Sequence, residues 1–279
     1  MKPGSAHFAA EQLRASDRDR YFATLVLPEK ARAAVTALYA FNADIASIRD
    51  RAREAAAGEI RLQWWHDAFA GEGHGAVRAN PLADALLDVV AEYGLPVPAL
   101  IRMIDARRFD LYDDLMPNMP TFEGYAGETA SALYQLSAMI LNNGRPVEPG
   151  DAAGHLGVAH ALIGHLRAFG YNASKGRVVL PQDVFETCGV KEGDIRAGKG
   201  GENLSVALTR FAEIAAQHLR KADTAFAALP RDLRAVFAPT ALLHAQLKRL
   251  TLDTPFALQP DLEDWQKIAV LGWWKLRKA

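Results

Sequence analysis

Apolar residues recur at spacings of three and four along nearly the whole chain, the pattern of amphipathic helices that each bury one face. Behind Pro28, a residue suited to a helix's first turn, Val35, Leu38, Phe41, Ile45 and Ile48 share a face. Leu82, Leu86, Val89, Val90 and Tyr93 repeat the pattern behind Pro81. Val97, Ile101, Ile104, Leu111 and Leu115 predict a further helix ending near Pro117. Leu133, Leu136 and Ile140 predict another, closed by the Asn142-Asn143-Gly144 turn. Helical patterns also run over 155–169, 206–226 and 233–250, and Trp265, Ile268, Ala269 and Leu276 predict a terminal helix over about 262–277. Val178-Val179-Leu180 is too short to be read as a strand, and no alternating β-branched run predicts a sheet. The glycine-rich stretches 70–79 and 191–201 read as surface loops, and neither has the Gly-Lys-Ser/Thr ending of a phosphate loop. With no repeat or linker, the pattern predicts an all-α protein with one helical domain over 1–279 and a core over about 18–250.

Composition narrows this picture. Of 279 residues, 50% are hydrophobic and 23% charged, with a net charge of −1. That is ample for a continuous core and gives no sign of nucleic-acid binding. The lone Cys188 excludes an intrachain disulfide and a cysteine metal site, and fits a reducing compartment. No run has the length of a transmembrane helix. The N-terminus has no apolar signal core and is too acidic for a transit peptide. A bacterial cytoplasmic protein is the simplest expectation.

Two stretches carry candidate chemistry. One runs from Leu38-Tyr39-Ala40-Phe41-Asn42 to Ile48-Arg49-Asp50; the other runs from Leu166-Arg167-Ala168-Phe169 to Gly176-Arg177-Val178-Val179-Leu180-Pro181. Both resemble the paired signature segments of squalene and phytoene synthases, and the resemblance extends over about Arg18 to Leu250. It implies an isoprenoid-synthase-type helical bundle around a central cavity. In that family each segment supplies carboxylates one helical turn apart, on one helix face. Such carboxylates hold Mg²⁺, which binds the substrate diphosphate and stabilises it as it leaves.

Here the spacing is kept and the chemistry is not. The family's Asp-Asp-x-x-Asp matches Ala46, Ser47 and Asp50, leaving one carboxylate of three. Its Asp-x-x-Glu-Asp matches Ala168, Tyr171 and Asn172, leaving none, and its upstream Gln-x-x-Asn becomes Ala161 and Gly164. Asp44 is no substitute, because it lies about 240° around a helix from Asp50. Arg49, Arg167, Lys175 and Arg177 remain as candidates for gripping a diphosphate or phospholipid headgroup.

A second resemblance accommodates these losses. Tyr39-Ala40-Phe41-Asn42, Ile48-Arg49-Asp50-Arg51, Gly58-Glu59-Ile60-Arg61-Leu62-Gln63-Trp64-Trp65, Leu166-Arg167-Ala168 and the Trp273-Trp274-Lys275 ending are similar to the complex I assembly factor 6 family, a non-catalytic branch of the same group. The resemblance implies a pseudoenzyme that needs no cofactor and helps build the peripheral arm of respiratory complex I. Its partners would be a complex I subunit or assembly intermediate, an isoprenoid or other lipid in the cavity, and the inner-membrane surface, on the matrix side in an organelle. The alternative is an active Mg²⁺-dependent prenyltransferase joining two farnesyl or geranylgeranyl diphosphates, with ligands drawn from Asp50 and unexpected positions. A carrier of an isoprenoid lipid is a third.

Each signal has a plainer alternative. Asp50 sits among Arg49, Arg51 and Arg53 and reads as readily as an ion-paired residue. Arg167, Lys175 and Arg177 can pair with carboxylates across a cavity mouth. His155, His160 and His165 step about 140° around a helix and spiral away from a shared zinc site. Asp110, Asp113 and Asp114 have cation-binding spacing but also suit a solvated face. Trp64 and Trp65 point apart, so one belongs to the core. Trp273 and Trp274, beside Lys275, Arg277 and Lys278, suit a membrane or partner contact, or a terminal helix packed on the bundle.

Overall fold

A computed structural model describes residues 1–73, 75–112, 114–147 and 150–278. Among these residues every regular element is helical and no strand occurs, as the periodicity predicts. The N-terminal part comprises α1 (Pro3–Ser16), α2 (Arg18–Thr24), α3 (Glu29–Ala46), α4 (Ile48–Arg51), α5 (Ala55–Ala70), α6 (Pro81–Tyr93) and α7 (Val97–Arg108). The middle holds α8 (Met119–Ala126), a π-helical segment (Gly127–Ser131), α9 (Ala132–Leu141), α10 (Gly150–Arg167) and α11 (Phe169–Ser174). The remainder is α12 (Gln182–Thr187), α13 (Glu192–Arg196), α14 (Glu202–Ala227), α15 (Arg231–Arg234), α16 (Pro239–Leu247) and α17 (Asp264–Lys278).

The predicted faces fill the core. Val35, Leu38, Phe41 and Ile45 of α3 are buried, as are Leu82, Leu86 and Val89 of α6. Helix α3 packs against α1, α6 and α9, and α10 lies along α14. Asp17 caps α2 by accepting from the Arg20 amide, and Asn80 caps α6 from Leu82 and Ala83. Helix α9 ends as predicted, with Asn143 and Gly144 in the left-handed region. Gly157 of α10 meets the π-helical segment so closely that a Cβ there would lie 2.5 Å from the Ser131 amide nitrogen. This contact sets α10 against the wall that carries Thr129 and Ala130.

Three expectations need correction. The helix behind Val97 stops at Arg108, short of Pro117. Phe109–Leu111 form a tighter turn and Leu111 is buried outside the helix. The pattern over 233–250 breaks into α15, a 3₁₀ turn (Ala235–Phe237) and α16, because Pro239 lacks the amide a continuous helix would need and opens α16 instead. The terminal helix forms, but Trp265, Ile268 and Leu276 face solvent, while Lys267, Leu271 and Trp274 pack inward. Of the tandem tryptophans, Trp65 is buried and its indole N–H donates to Asp44 Oδ2 at 2.9 Å.

Candidate functional site

The two signature segments meet at one cavity of ≈ 380 Å³. The end of α3 and α4 contribute Ala46, Arg49 and Asp50 to its wall. Helix α10 contributes His160, Ala161, Gly164 and His165, and Ala168, Tyr171 and Asn172 continue that wall into α11. Arg177, Val178 and Val179 follow. Spacings of three and four put Ala161, Gly164 and Ala168 on one face of a helix. The positions matched to the family's polar and acidic residues thus face the cavity, and all of those facing it except Asp50 carry apolar or neutral side chains. Ser47 is the exception: it caps α3 and its hydroxyl donates to the Asp44 carbonyl at 2.9 Å.

The charged candidates fall into separate settings. Asp50 Oδ1 lies 2.8 Å from Arg177 Nη1. Arg49 lines the same cavity. Arg167 lines a neighbouring cavity of ≈ 170 Å³, where its guanidinium lies 3.2 Å from Asp19 Oδ2 and 2.9 Å from Asp261 Oδ1. Lys267 completes that network, 2.7 Å from Asp19 Oδ1 and 2.8 Å from Asp261 Oδ2. Lys175 is exposed and stands 5.9 Å from the centre of the Tyr171 ring. Asp44 points elsewhere, held by Trp65 and by Arg51 Nη2 at 2.8 Å.

Other residues line the ≈ 380 Å³ cavity that the sequence did not single out: Arg20, Arg107, Tyr125 and Thr129. Arg20 is only 8% exposed, pairs with Asp17 at 2.6 Å, and also borders the second cavity. Arg107 Nη1 donates to the Tyr125 hydroxyl at 2.6 Å and to Asp110 Oδ2 at 3.1 Å. The Nε–H groups of Arg20, Arg107 and Arg177 have no hydrogen-bond partner among the described residues. The only sequence trace of the first two was an acid three residues away, Asp17 before Arg20 and Asp110 after Arg107, a spacing that usually marks a surface pair.

Asp110 and Asp114 line the cavity as well, so the acidic run is partly inside it; Asp113 lies outside the described residues. The histidines at the wall are held neutral. Burial, then the neighbouring Arg20, pushes His160 well below its ordinary pKa, and its Nδ1 lies 2.7 Å from the Tyr134 hydroxyl. Burial also lowers His165 to about 4. His155 lies apart, with its Nδ1 3.1 Å from His218 Nδ1 on α14.

A magnesium site of the family's kind does not fit this wall. Of the carboxylates present, Asp50 is engaged by Arg177, Asp110 by Arg107 and Tyr125, and Asp114 is exposed on a segment outside the helices. The opposing α10–α11 wall offers none at the matched positions. Among the described residues no group of three or more His, Cys, Asp or Glu side chains is placed to hold a metal ion. What the wall does offer is guanidinium N–H donors beside an apolar lining, which suits the anionic head of an amphiphile.

The profile of the squalene/phytoene synthase family matches residues 13–265. The chain is 30% identical over 247 residues to a Homo sapiens protein named NADH dehydrogenase (ubiquinone) complex I, assembly factor 6, covering 88% of this chain and 74% of that one. It is 30% identical over 233 residues to a presqualene diphosphate synthase of Rhodopseudomonas palustris, covering 83% of this chain and 81% of that one. A ligand-bound dehydrosqualene synthase superposes with a TM-score of 0.80 at 19% identity, covering 98% of this chain and 96% of that one. A squalene synthase of Alicyclobacillus acidocaldarius gives 0.69 at 18%, covering 99% and 94%. These structures share the fold.

Proposed function

Since the chain belongs to the squalene/phytoene synthase family, we propose that it is a non-catalytic member that works by binding, as a factor in the assembly of respiratory complex I. One observation carries this reading. The matched polar and acidic positions still face a common cavity, yet they hold Ala46, Ala161, Gly164, Ala168, Tyr171 and Asn172, and the retained Asp50 is tied to Arg177. Alanine and glycine side chains cannot coordinate Mg²⁺, which takes oxygen ligands. The similarity to assembly factor 6 proteins supplies the biological direction. The cavity, lined by Arg20, Arg107 and Arg177 beside apolar side chains, favours an isoprenoid or acyl amphiphile with an anionic head as a bound ligand. Function in the cytoplasm, or in the matrix of an organelle, agrees with this role.

Deleting the gene in its own cell tests the assembly role. Assembled complex I and NADH:ubiquinone reductase activity should fall, and stalled peripheral-arm intermediates should accumulate. The native gene should restore assembly, and so should an Asp50→Asn variant. Normal complex I in the deletion strain would refute the role.

A second reading has two observations in its favour: Asp50, Asp110 and Asp114 all line the cavity, and the chain is also 30% identical to a presqualene diphosphate synthase. A prenyltransferase that rebuilt its metal site from these carboxylates would lose turnover of farnesyl diphosphate in the same Asp50→Asn variant.

A further inference from the structure

Helix α17 has two apolar faces, and one of them is unused by the bundle. Lys267, Leu271 and Trp274 pack inward. Trp265 (69% exposed), Ile268 (53%), Trp273 (58%) and Leu276 (83%) stand outward, with Ala269 and Gly272 exposed between them. At 100° per residue these six positions fall within an arc of about 140°. A continuous outward stripe of this kind, rimmed by polar residues, marks an interaction surface.

We propose that α17 lies flat on an anionic lipid bilayer, with this stripe sunk into the headgroup boundary. Three observations select this partner. First, charge: Lys275, Arg277 and Lys278 crowd the last turn. Of the acids near the other end, Asp264 is engaged by Arg18 and Asp261 by Arg167 and Lys267, and Glu263, exposed beside the helix start, stands against these three cations. The face is left with a basic surplus that suits an anionic surface. Second, shape: the stripe is the ridge of a single helix. It would sink readily into a deformable bilayer, whereas a protein partner would have to supply a matching groove. Third, residue type: two exposed tryptophans suit the boundary between water and hydrocarbon, and Arg277, 4.1 Å from the centre of the Trp273 ring, carries its charge beside an indole.

The helix has 15 residues, a length of about 22 Å, and none of the described helices is long and apolar enough to cross a membrane. Contact is therefore in the plane of the interface. The opposite face holds the helix to the protein: Lys267, 4% exposed, is clamped between Asp19 and Asp261. The stripe is thus presented on a fixed support.

Co-sedimentation of the full chain with vesicles tests this. The chain should bind vesicles of phosphatidylcholine with phosphatidylglycerol much better than phosphatidylcholine alone, and added salt should weaken binding. Lys275→Glu/Arg277→Glu/Lys278→Glu should lower binding about a hundredfold or more. Trp273→Ser/Leu276→Ser should lower it at least about tenfold. Both variants change exposed positions, and an unchanged melting temperature identifies them as folded. The proposal is overturned if the native chain does not sediment with anionic vesicles at low salt. Unchanged binding by the folded Trp273→Ser/Leu276→Ser variant would also overturn it. So would a concentration-dependent dimer in light scattering that this variant dissolves while vesicle binding is absent.

Discussion

Lowering the pH from 7 to 4 should cost this protein several kcal/mol of stability, through histidines held neutral inside it. Burial lowers both His165 and His218 to about 4, with His155 and Lys221 adding to the effect at His218, and His160 is pushed well below its ordinary range. In the unfolded chain each titrates near 6.5. Their folded values are depressed, so between about 6.5 and 4 the unfolded chain binds more protons and stability falls as the pH falls. Above 6.5 the contribution is complete. By linkage the fully enclosed His165 withholds on the order of 3 kcal/mol by the bottom of that window, and the half-enclosed, better-solvated His218 less. Urea midpoints measured from pH 7.5 to 4 should fall steadily below 6.5. The His165→Gln variant, which cannot take up that proton, should show a shallower slope. A flat profile over this range would contradict the neutral, buried assignment.

The second large effect is a gain. Ala46, Ala168 and Asn172 face the same cavity as Asp50. An Ala46→Asp/Ala168→Asp/Asn172→Asp variant places new carboxylates on both opposing walls, as the family pattern requires. Without metal these groups repel and are poorly solvated, so the variant should melt below the native chain. Adding Mg²⁺ should restore stability by about 2–3 kcal/mol once the ion is some hundredfold above its dissociation constant. The native chain should show no such response. If Mg²⁺ raised the native melting temperature as much as the variant's, the reading of these positions as a lost metal site would be wrong.

Much of this was legible in residue spacing, and the remainder for the most part was not. The periodic faces of α3, α6, α9, α10 and α14 gave the bundle, because a buried apolar stripe must repeat with the helix. The convergence of Ala46, Asp50, Ala168, Tyr171 and Asn172 followed from the signature segments. Helix α17 was read inside out. Its packed face carries Lys267, which is buried only because Asp19 and Asp261 arrive from elsewhere in the chain, and periodicity does not say which of two apolar faces will find a partner. Arg20 and Arg107 were missed for a related reason. A buried arginine with an acid three residues away has the same local pattern as a surface ion pair. The break at Pro239 was visible in the sequence and should have divided the 233–250 helix.

The most direct test of the central claim is calorimetric titration of the purified native chain with farnesyl diphosphate, with and without Mg²⁺, together with product analysis. The non-catalytic account predicts that any binding is independent of Mg²⁺, with no pyrophosphate released and no coupled product. Binding that requires Mg²⁺ and is followed by pyrophosphate release would contradict it, and would make the chain an active prenyltransferase.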